Sequence, residues 1–460
     1  MKSKADMKDK TVLVIGSGKS GIGAAHLLTS VGARVVLLDQ DDRKTAEAIT
    51  EKLHADDREK VEIVIGTLTD DLMEQISLVV PSPAVPLDSP LMIRLAEEKK
   101  EIISEIELAC RFMKGKLIAI TGTNGKTTTT TLTGELMKKL YSTVFVVGNI
   151  GEAFTEHALE TTETGVTVAE ISSFQLEAVD TLHADVSVLL NITPDHLDRH
   201  HTMENYVQCK ERISHLQNHK DVCVLNYRDR STYDFGMRRC PAHVLWFSSN
   251  EKPPEGFWLD GDRIIEVDNS GEREVLKFSD CLLKGRVGAE NICAALCIAK
   301  GMGADVLQLA ETVRTFKPVA HRIEYIATKR GVEYINDSKA TNPDAAIHGI
   351  EAMTKPTYLI GGGYDKGSVY DEWIKAFDGK VKELVLIGQT AEAIKACAEK
   401  NGFTNVVISD SFEEALTYCT EQAVPGEAIL LSPAWPSWGM VPKYEVRGDA
   451  VRQYAESLTD

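Results

Sequence analysis

Residues 117–132, LIAITGTNGKTTTTTL, join an apolar run to a helix-forming segment through two glycines and a lysine. Gly122 and Gly125 permit a tight turn, and backbone N–H groups at a helix start hold phosphate oxygens. Only Thr123 and Asn124 separate the two glycines, where the usual phosphate loop has four residues before its Gly-Lys pair. Lys126 is expected beside the transferring phosphate, with the Thr127 hydroxyl on Mg2+ and Thr128 continuing the loop into the helix. A plain strand–turn–helix with an exposed lysine is the alternative. The order strand, paired glycines, Gly-Lys-Thr, helix argues for a nucleotide.

A second glycine loop, GSGKSG at 16–21, also follows an apolar strand and opens a helix, and Asp39 ends the next strand. By pattern alone this fits a dinucleotide fingerprint, and with it an NAD-dependent oxidoreductase. Further chemistry sits at strand ends. Glu170 closes the run VTVAE, and His196 follows VSVLLNITPDH. A parallel sheet places its active edge at such ends, and Mg2+ takes oxygen ligands shared with phosphate. Each alone could be a solvated strand end or a capping histidine. Both become functional candidates behind an ATP loop. His200 and His201 have no thiol or carboxylate partners at structural-metal spacing.

These residues need a scaffold of α/β units. The first stretch alternates TVLVIG, ARVVLLD, VEIVIG and ISLVVPSP with helical patterns, which predicts a parallel sheet. The second runs through KLIAITG, STVFVVG, GVTVAEIS, VSVLLNIT and VCVLN. Residues 240–282 are turn-rich with short strands and predict a small antiparallel patch. The third repeats the alternation in VEYIND, PTYLIGGG, KELVLIG, NVVIS and AILLSPA. The expected domains are 1–104, 105–317 and 318–460. The 460 residues are 43% hydrophobic and 26% charged, as in an ordinary soluble chain. No apolar run is long enough to cross a bilayer, and the N-terminus lacks the apolar core of a secretory signal. Nine scattered cysteines without a C-x-x-C pair suggest reduced thiols. A net charge of −18 argues against a general nucleic-acid binder, yet leaves room for anionic small molecules at local lysines and helix starts. A cytoplasmic enzyme, without membrane or nucleic-acid partners, is the expectation.

The loop TGTNGKTT resembles the ATP loop of the Mur ligase family, which makes amide bonds in peptidoglycan precursors. NIG (149–151), AEISSFQLE (169–177), NITPDHLDRH (191–200), CKER (209–212), HRIE (321–324) and NDSKATN (336–342) agree with that family in order, across almost the whole chain. The resemblance implies three α/β domains: an N-terminal Rossmann-like UDP-binding domain, a central P-loop ATPase-like domain with a small antiparallel sheet, and a C-terminal Rossmann-like domain. It is nearest the D-glutamate-adding branch. It implies ATP, UDP-N-acetylmuramoyl-L-alanine and D-glutamate as substrates, two Mg2+ ions, and a monomer.

Residue by residue, the resemblance assigns Gly122, Thr123, Asn124, Gly125, Lys126, Thr127, Thr128, Asn291, Arg322 and Asp337 to ATP. It turns the first glycine loop from a dinucleotide site into one for the UDP-sugar, with Gly16, Gly18, Lys19, Ser20, Asp39, Ser82 and Asn149, joined by His196. It implies that Thr127 and Glu170 serve one Mg2+, and Glu170 and His196 a second. Lys210, a surface lysine by helical pattern alone, would be carbamylated and help hold that second ion. Lys126, Glu170, His196, Lys210 and Arg322 are the implied catalytic set. Lys339, Thr341, Lys366, Ser437, Trp438 and Tyr444 are the implied D-glutamate pocket, whose two lysines suit a dicarboxylate.

The chain departs from the family pattern at Val287 and Gly288 near the adenine pocket, at Trp435, Pro436 and Gly439 near the amino-acid pocket, and mildly at Ala84. The implied reaction has two steps, an acyl phosphate and then its aminolysis, with closure of the third domain. A sister ligase with another amino acid or acceptor, and a non-catalytic nucleotide-binding regulator, are the other readings.

Overall fold

A computed structural model describes residues 7–364, 370–437, 441 and 443–459. Lys366, Gly439 and Trp438 lie outside the described residues. Three sheets organise the chain. The first contains β1 (Thr11–Ile15), β2 (Arg34–Asp39), β3 (Val61–Ile65), β4 (Ile76–Pro81) and β5 (Glu101–Ile102), in the order β3-β2-β1-β4-β5. Its neighbours all pair in parallel. The order reverses between β1 and β4, so the glycine loop after β1 emerges beside Ser82, just past β4. That is the crevice where open α/β sheets take ligands.

The second sheet holds β6 (Lys116–Thr121), β7 (Val144–Gly148), β8 (Val166–Glu170), β9 (Val186–Leu189), β10 (Val222–Asn226), β11 (His243–Ser248), β12 (Gly256–Asp260), β13 (Arg263–Asp268) and β14 (Gly271–Lys277). Its order is β14-β13-β12-β11-β10-β9-β6-β8-β7. The pairs from β7 to β12 are parallel, and β12 turns antiparallel to β13. The antiparallel patch expected over 240–282 is therefore an extension of the main sheet. Register does the positioning. Ile120 lies opposite Glu170, and Thr121 opposite Leu189. The phosphate-loop candidate thus springs from between the strand ends that carry Glu170 and lead to His196.

The third sheet comprises β15 (Glu324–Lys329), β16 (Val332–Asn336), β17 (Thr357–Gly361), β18 (Val381–Leu386), β19 (Val406–Ile408) and β20 (Ala428–Leu431). Its order is β15-β16-β20-β17-β18-β19, parallel except for the β15–β16 edge. Asn336 pairs opposite Leu431, which sets the loops after β16 and β20 side by side.

The chain divides into two compact units, Met1–Leu276 with Asn291–Val313, and Lys277–Glu290 with Arg314–Asp460. In the first unit one apolar core runs from Val12, Val14, Leu27 and Leu28 through Ile106 to Phe154, Ala169 and Leu176. Within that unit a buried carboxylate ties the first sheet's last helix to the second sheet. Helix Glu105–Phe112 is capped by Ser104, and Glu107 accepts the backbone N–H groups of Asp180, Thr181 and Leu182 at 2.9–3.0 Å. Arg111 adds an ion pair at 3.0 Å. The third sheet is buried on both faces: Leu359 and Leu430 pack with Trp373 and Ile394 of flanking helices on one side, and Tyr358, Ile360 and Leu431 with Leu416 and Val451 on the other. Among the described residues no helix is long and apolar enough to cross a membrane. All nine cysteines are free thiols.

Candidate active site

The loop after β1 depends on glycine. Gly16 has φ +97°, and a Cβ on Gly21 would stand 1.9 Å from the Gly16 carbonyl oxygen. Helix Lys19–Ser30 can therefore close onto the strand end only without a side chain there. Asp39 is already engaged. It accepts from Ser17 N at 3.0 Å, Ser17 Oγ at 2.5 Å and Lys44 Nζ at 2.8 Å. Burial pushes its pKa up, but Lys44 and Ser17 outweigh this and hold the carboxyl well below the usual range. Asp39 thus shapes the loop through Ser17. Lys19 Nζ reaches the Gly151 carbonyl at 3.2 Å, linking this loop to the segment of Asn149. Ser20 is half-buried and Gly18 exposed.

The loop after β6 is held as tightly. Gly122 and Gly125 have φ +154° and +83°, and a Cβ on Gly125 would lie 2.5 Å from Asn291 Oδ1. Asn291, on helix Gly285–Gly301, accepts the Thr129 hydroxyl at 3.2 Å. Thr123 N donates to the Asn191 carbonyl, and Asn124 N to Asn191 Oδ1 at 2.8 Å. Helix Lys126–Met137 starts at Gly125, which has no side chain to cap its first N–H groups, so the helix start suits an anion. Thr127 and Thr128 are buried there.

Two lysines converge on this loop. Lys126 Nζ donates to the carbonyls of Gly122 and Thr123 at 2.9 and 2.8 Å. Lys210 Nζ, from helix Met203–Glu211, donates to the same Gly122 carbonyl at 2.8 Å. Lys210 is 1% exposed, and its ammonium lies 4.8 Å from the centre of the Tyr206 ring. Burial and then the charge of Lys126 drive its pKa well below the ordinary lysine value, against weaker pulls from Cys209, Asp195 and Glu170. The surface lysine of the helical pattern is in fact a buried amine, neutral over more of the pH range than a surface lysine.

Glu170 is 1% exposed. Its Oε1 accepts from Asn149 Nδ2 at 2.9 Å, while Oε2 is buried with no hydrogen-bond partner. An orphaned carboxylate oxygen at the strand end next to the glycine loop after β6, with the buried Thr127 on that loop's helix, is the donor chemistry that suits Mg2+, so these residues fit a hard dication. His196 has φ +53° and packs edge-on against Phe174 at 4.9 Å. His200 is a core residue, 3.0 Å from Ser173 Oγ and between Phe174 and Tyr206. His201 pairs with Asp88.

In the second unit, His321 and Ile323 have positive φ, and Arg322 between them carries a buried Nε without a hydrogen-bond partner. Asp337 is turned inward. It accepts from Ser432 Oγ at 2.8 Å and Ile323 N at 3.2 Å. Burial raises its pKa to about 7, against the pull of Ser432 and Arg322. Lys339 Nζ lies 5.7 Å over the Tyr444 ring. Ser437 is buried and Thr341 half-buried. Trp435 fills the core against Tyr370 and Trp373, so this family departure is a packing feature.

Several residues of this arrangement escaped the sequence reading. Ser17 and Lys44 engage Asp39. Tyr206 places its hydroxyl 3.1 Å from Thr123 Oγ1. Arg199 grips Glu177 and reaches the Val85 carbonyl at 2.9 Å, on one wall of a cleft lined by Pro81, Ser82, Phe174 and Gln175. Arg447, 1% exposed, donates to Ser338 Oγ and O at 3.0 Å and to the Trp435 carbonyl. Arg199 and Ser17 lie inside quoted motifs and were within reach. Lys44, Tyr206 and Arg447 carry no local signal.

The sequence matches three family models: "Mur ligase MurD-like, N-terminal domain" over residues 10–104, "Mur ligase middle domain" over 120–299, and "Mur ligase, glutamate ligase domain" over 321–435. It is 50% identical to a UDP-N-acetylmuramoylalanine–D-glutamate ligase of Lachnospira eligens, over 98% of this chain and 100% of that one. A ligase of the same name from Lachnoclostridium phytofermentans is 49% identical over 98% and 99%. The fold is similar to that of a UDP-N-acetylmuramate–alanine ligase from Thermotoga maritima, with a TM-score of 0.61 at 17% identity, over 97% of this chain and 99% of that one. With its glycine loops, its buried glutamate and lysine and this full-length likeness, the chain belongs to the Mur ligase family.

Proposed function

We propose that the chain joins D-glutamate to UDP-N-acetylmuramoyl-L-alanine at the expense of ATP, as a cytoplasmic, monomeric enzyme of peptidoglycan precursor synthesis. The observation that carries this reading is the convergence of Lys126 and the buried Lys210 on the Gly122 carbonyl, beside the strand end of Glu170. The full-length likeness to D-glutamate ligases supports the choice of substrates.

In this reading the substrate carboxylate attacks the γ-phosphate of ATP, giving an acyl phosphate and ADP. The amine of D-glutamate then attacks the acyl carbon, and phosphate leaves. The loop 122–128 holds the nucleotide phosphates, and Lys126 offsets charge as it develops on the transferring group. Asn291 fixes the loop beside the base, and Arg322 offers a guanidinium edge to a phosphate. Asp337 acts on the nucleotide through the placement of Ile323 and Ser432. Gly16, Gly18, Lys19, Ser20, Ser82 and Asn149 take the uridine-linked substrate, with Asp39 behind them. Lys339, Thr341, Ser437 and Tyr444 take the amino acid, as do Lys366 and Trp438 beyond the described residues. Mg2+ held at two places by Thr127, Glu170, His196 and a carbamylated Lys210 would neutralise phosphate charge. The neutral Lys210 amine is the form that attacks the carbon of CO2, and it loses a proton as the carbamate forms.

The test is ADP release with UDP-N-acetylmuramoyl-L-alanine. D-glutamate should be required among a panel of amino acids. Equal stimulation by another amino acid overturns the assigned specificity, and turnover by Lys126→Ala at the parent rate overturns the assigned loop.

A further inference from the structure

Away from the phosphate loops, His26 of helix Lys19–Ser30, His54 ahead of β3 and Glu156 of the helical turn Phe154–His157 converge. One nitrogen or oxygen from each lies within 4.8 Å of the others. His54 Nε2 is 2.9 Å from Glu156 Oε2, and the two imidazoles stack with centroids 4.0 Å apart. The close approach has a sequence cause. Gly23 faces this turn, and a Cβ there would meet Thr155 Oγ1 at 2.8 Å and Glu156 Oε1 at 3.1 Å.

A second observation points to a ligand. Asp57 is 2% exposed, with Oδ2 2.7 Å from His26 Nδ1 and Oδ1 accepting the Thr29 hydroxyl at 2.6 Å. Its backbone N–H donates to the His54 carbonyl at 2.9 Å. A buried carboxylate on Nδ1 keeps the proton there and presents Nε2 as a lone pair. That is the backing that metal-bound histidines receive.

We propose that His26, His54 and Glu156 form a binding site for a transition-metal dication of the Zn2+ class, with solvent completing the coordination. Two imidazoles and one carboxylate suit Zn2+, Co2+ or Ni2+, and the nitrogen ligands disfavour Mg2+ and Ca2+. His54, the more exposed ring at 46%, turns out of the stack to aim Nε2 at the ion, and Glu156 exchanges its ion pair for a metal bond. The ion would join the helix that begins at the first glycine loop to a turn of the second sheet.

The experiment titrates the full chain, stripped with chelator, with Co2+ in excess Mg2+ that occupies hard-oxygen sites. One equivalent should give the visible absorption of a nitrogen-ligated low-coordinate Co2+, displaced by Zn2+, and Zn2+ should raise the thermal midpoint. His54→Ala, at an exposed position outside the catalytic set, should abolish the band and the midpoint rise. Asp57→Asn should weaken the affinity roughly tenfold, as loss of a carboxylate behind a ligating histidine does. A band of equal strength in His54→Ala, or no saturable band in the parent, overturns the proposal and leaves an ion pair only.

Discussion

Lys210 Nζ and the carbonyl oxygen of Gly122 stand 2.8 Å apart, so the amine of one helix is buried against the backbone of the phosphate loop. Replacing Lys210 by Ala should lower turnover by roughly two orders of magnitude or more. Short carboxylic acids should restore part of it, and removal of bicarbonate should slow the parent protein. Rescue by an amine instead would show that the cation is the working form.

The same burial has a stability consequence. The folded chain releases the Lys210 proton at a pH where the unfolded chain keeps it. Stability therefore rises with pH between the depressed folded value and the ordinary lysine range. Lys210→Met should flatten that slope in urea unfolding followed across the alkaline side.

Asp337 works in the opposite sense. Its pKa is raised to about 7, so folding takes up a proton between the ordinary aspartate value and that point. Its contribution is full below this window and is lost as pH rises through about 7. Unfolding free energy should fall across the window by at most about 4 kcal/mol, and Asp337→Asn should remove the decline.

Gly21→Ala tests the first loop. The new methyl would collide with the Gly16 carbonyl, and a forced shift of this kind costs about 3 kcal/mol. The KM for the uridine-linked substrate should rise steeply, while the KM for ATP stays near that of the parent.

Arg447→Lys tests the support under the loops proposed to hold the amino acid. Lysine cannot bridge Ser338 and the Trp435 carbonyl together, as the guanidinium does. The KM for D-glutamate should rise roughly tenfold, the equivalent of one charge-assisted hydrogen bond, with a smaller change in kcat.

What the sequence disclosed follows from local physics. The apolar β-branched runs form the strands they predict, and both glycine loops sit at strand ends because only glycine tolerates the contacts there. Two edge elements were hidden. Glu101–Ile102 is too short to show a period, and Glu324–Lys329 is half-exposed, with Tyr325 facing outward. Lys210 read as a surface residue because a helix of sequence MENYVQCKE has no strong apolar face. Its burial comes from Gly122 and Tyr206, and the first of these is far away in sequence. Lys44 and Arg447 were missed for the same reason, since hydrogen bonds between distant segments leave no trace in spacing.

Trp435 is fully buried, and its indole is enclosed among Tyr370 and Trp373. Its carbonyl is held by Arg447, and the loop that follows carries Ser437. The protein thereby contains an intrinsic fluorophore wired to the loop proposed to hold the amino acid. Shifts in that emission would follow loop rearrangement in real time, without any attached dye.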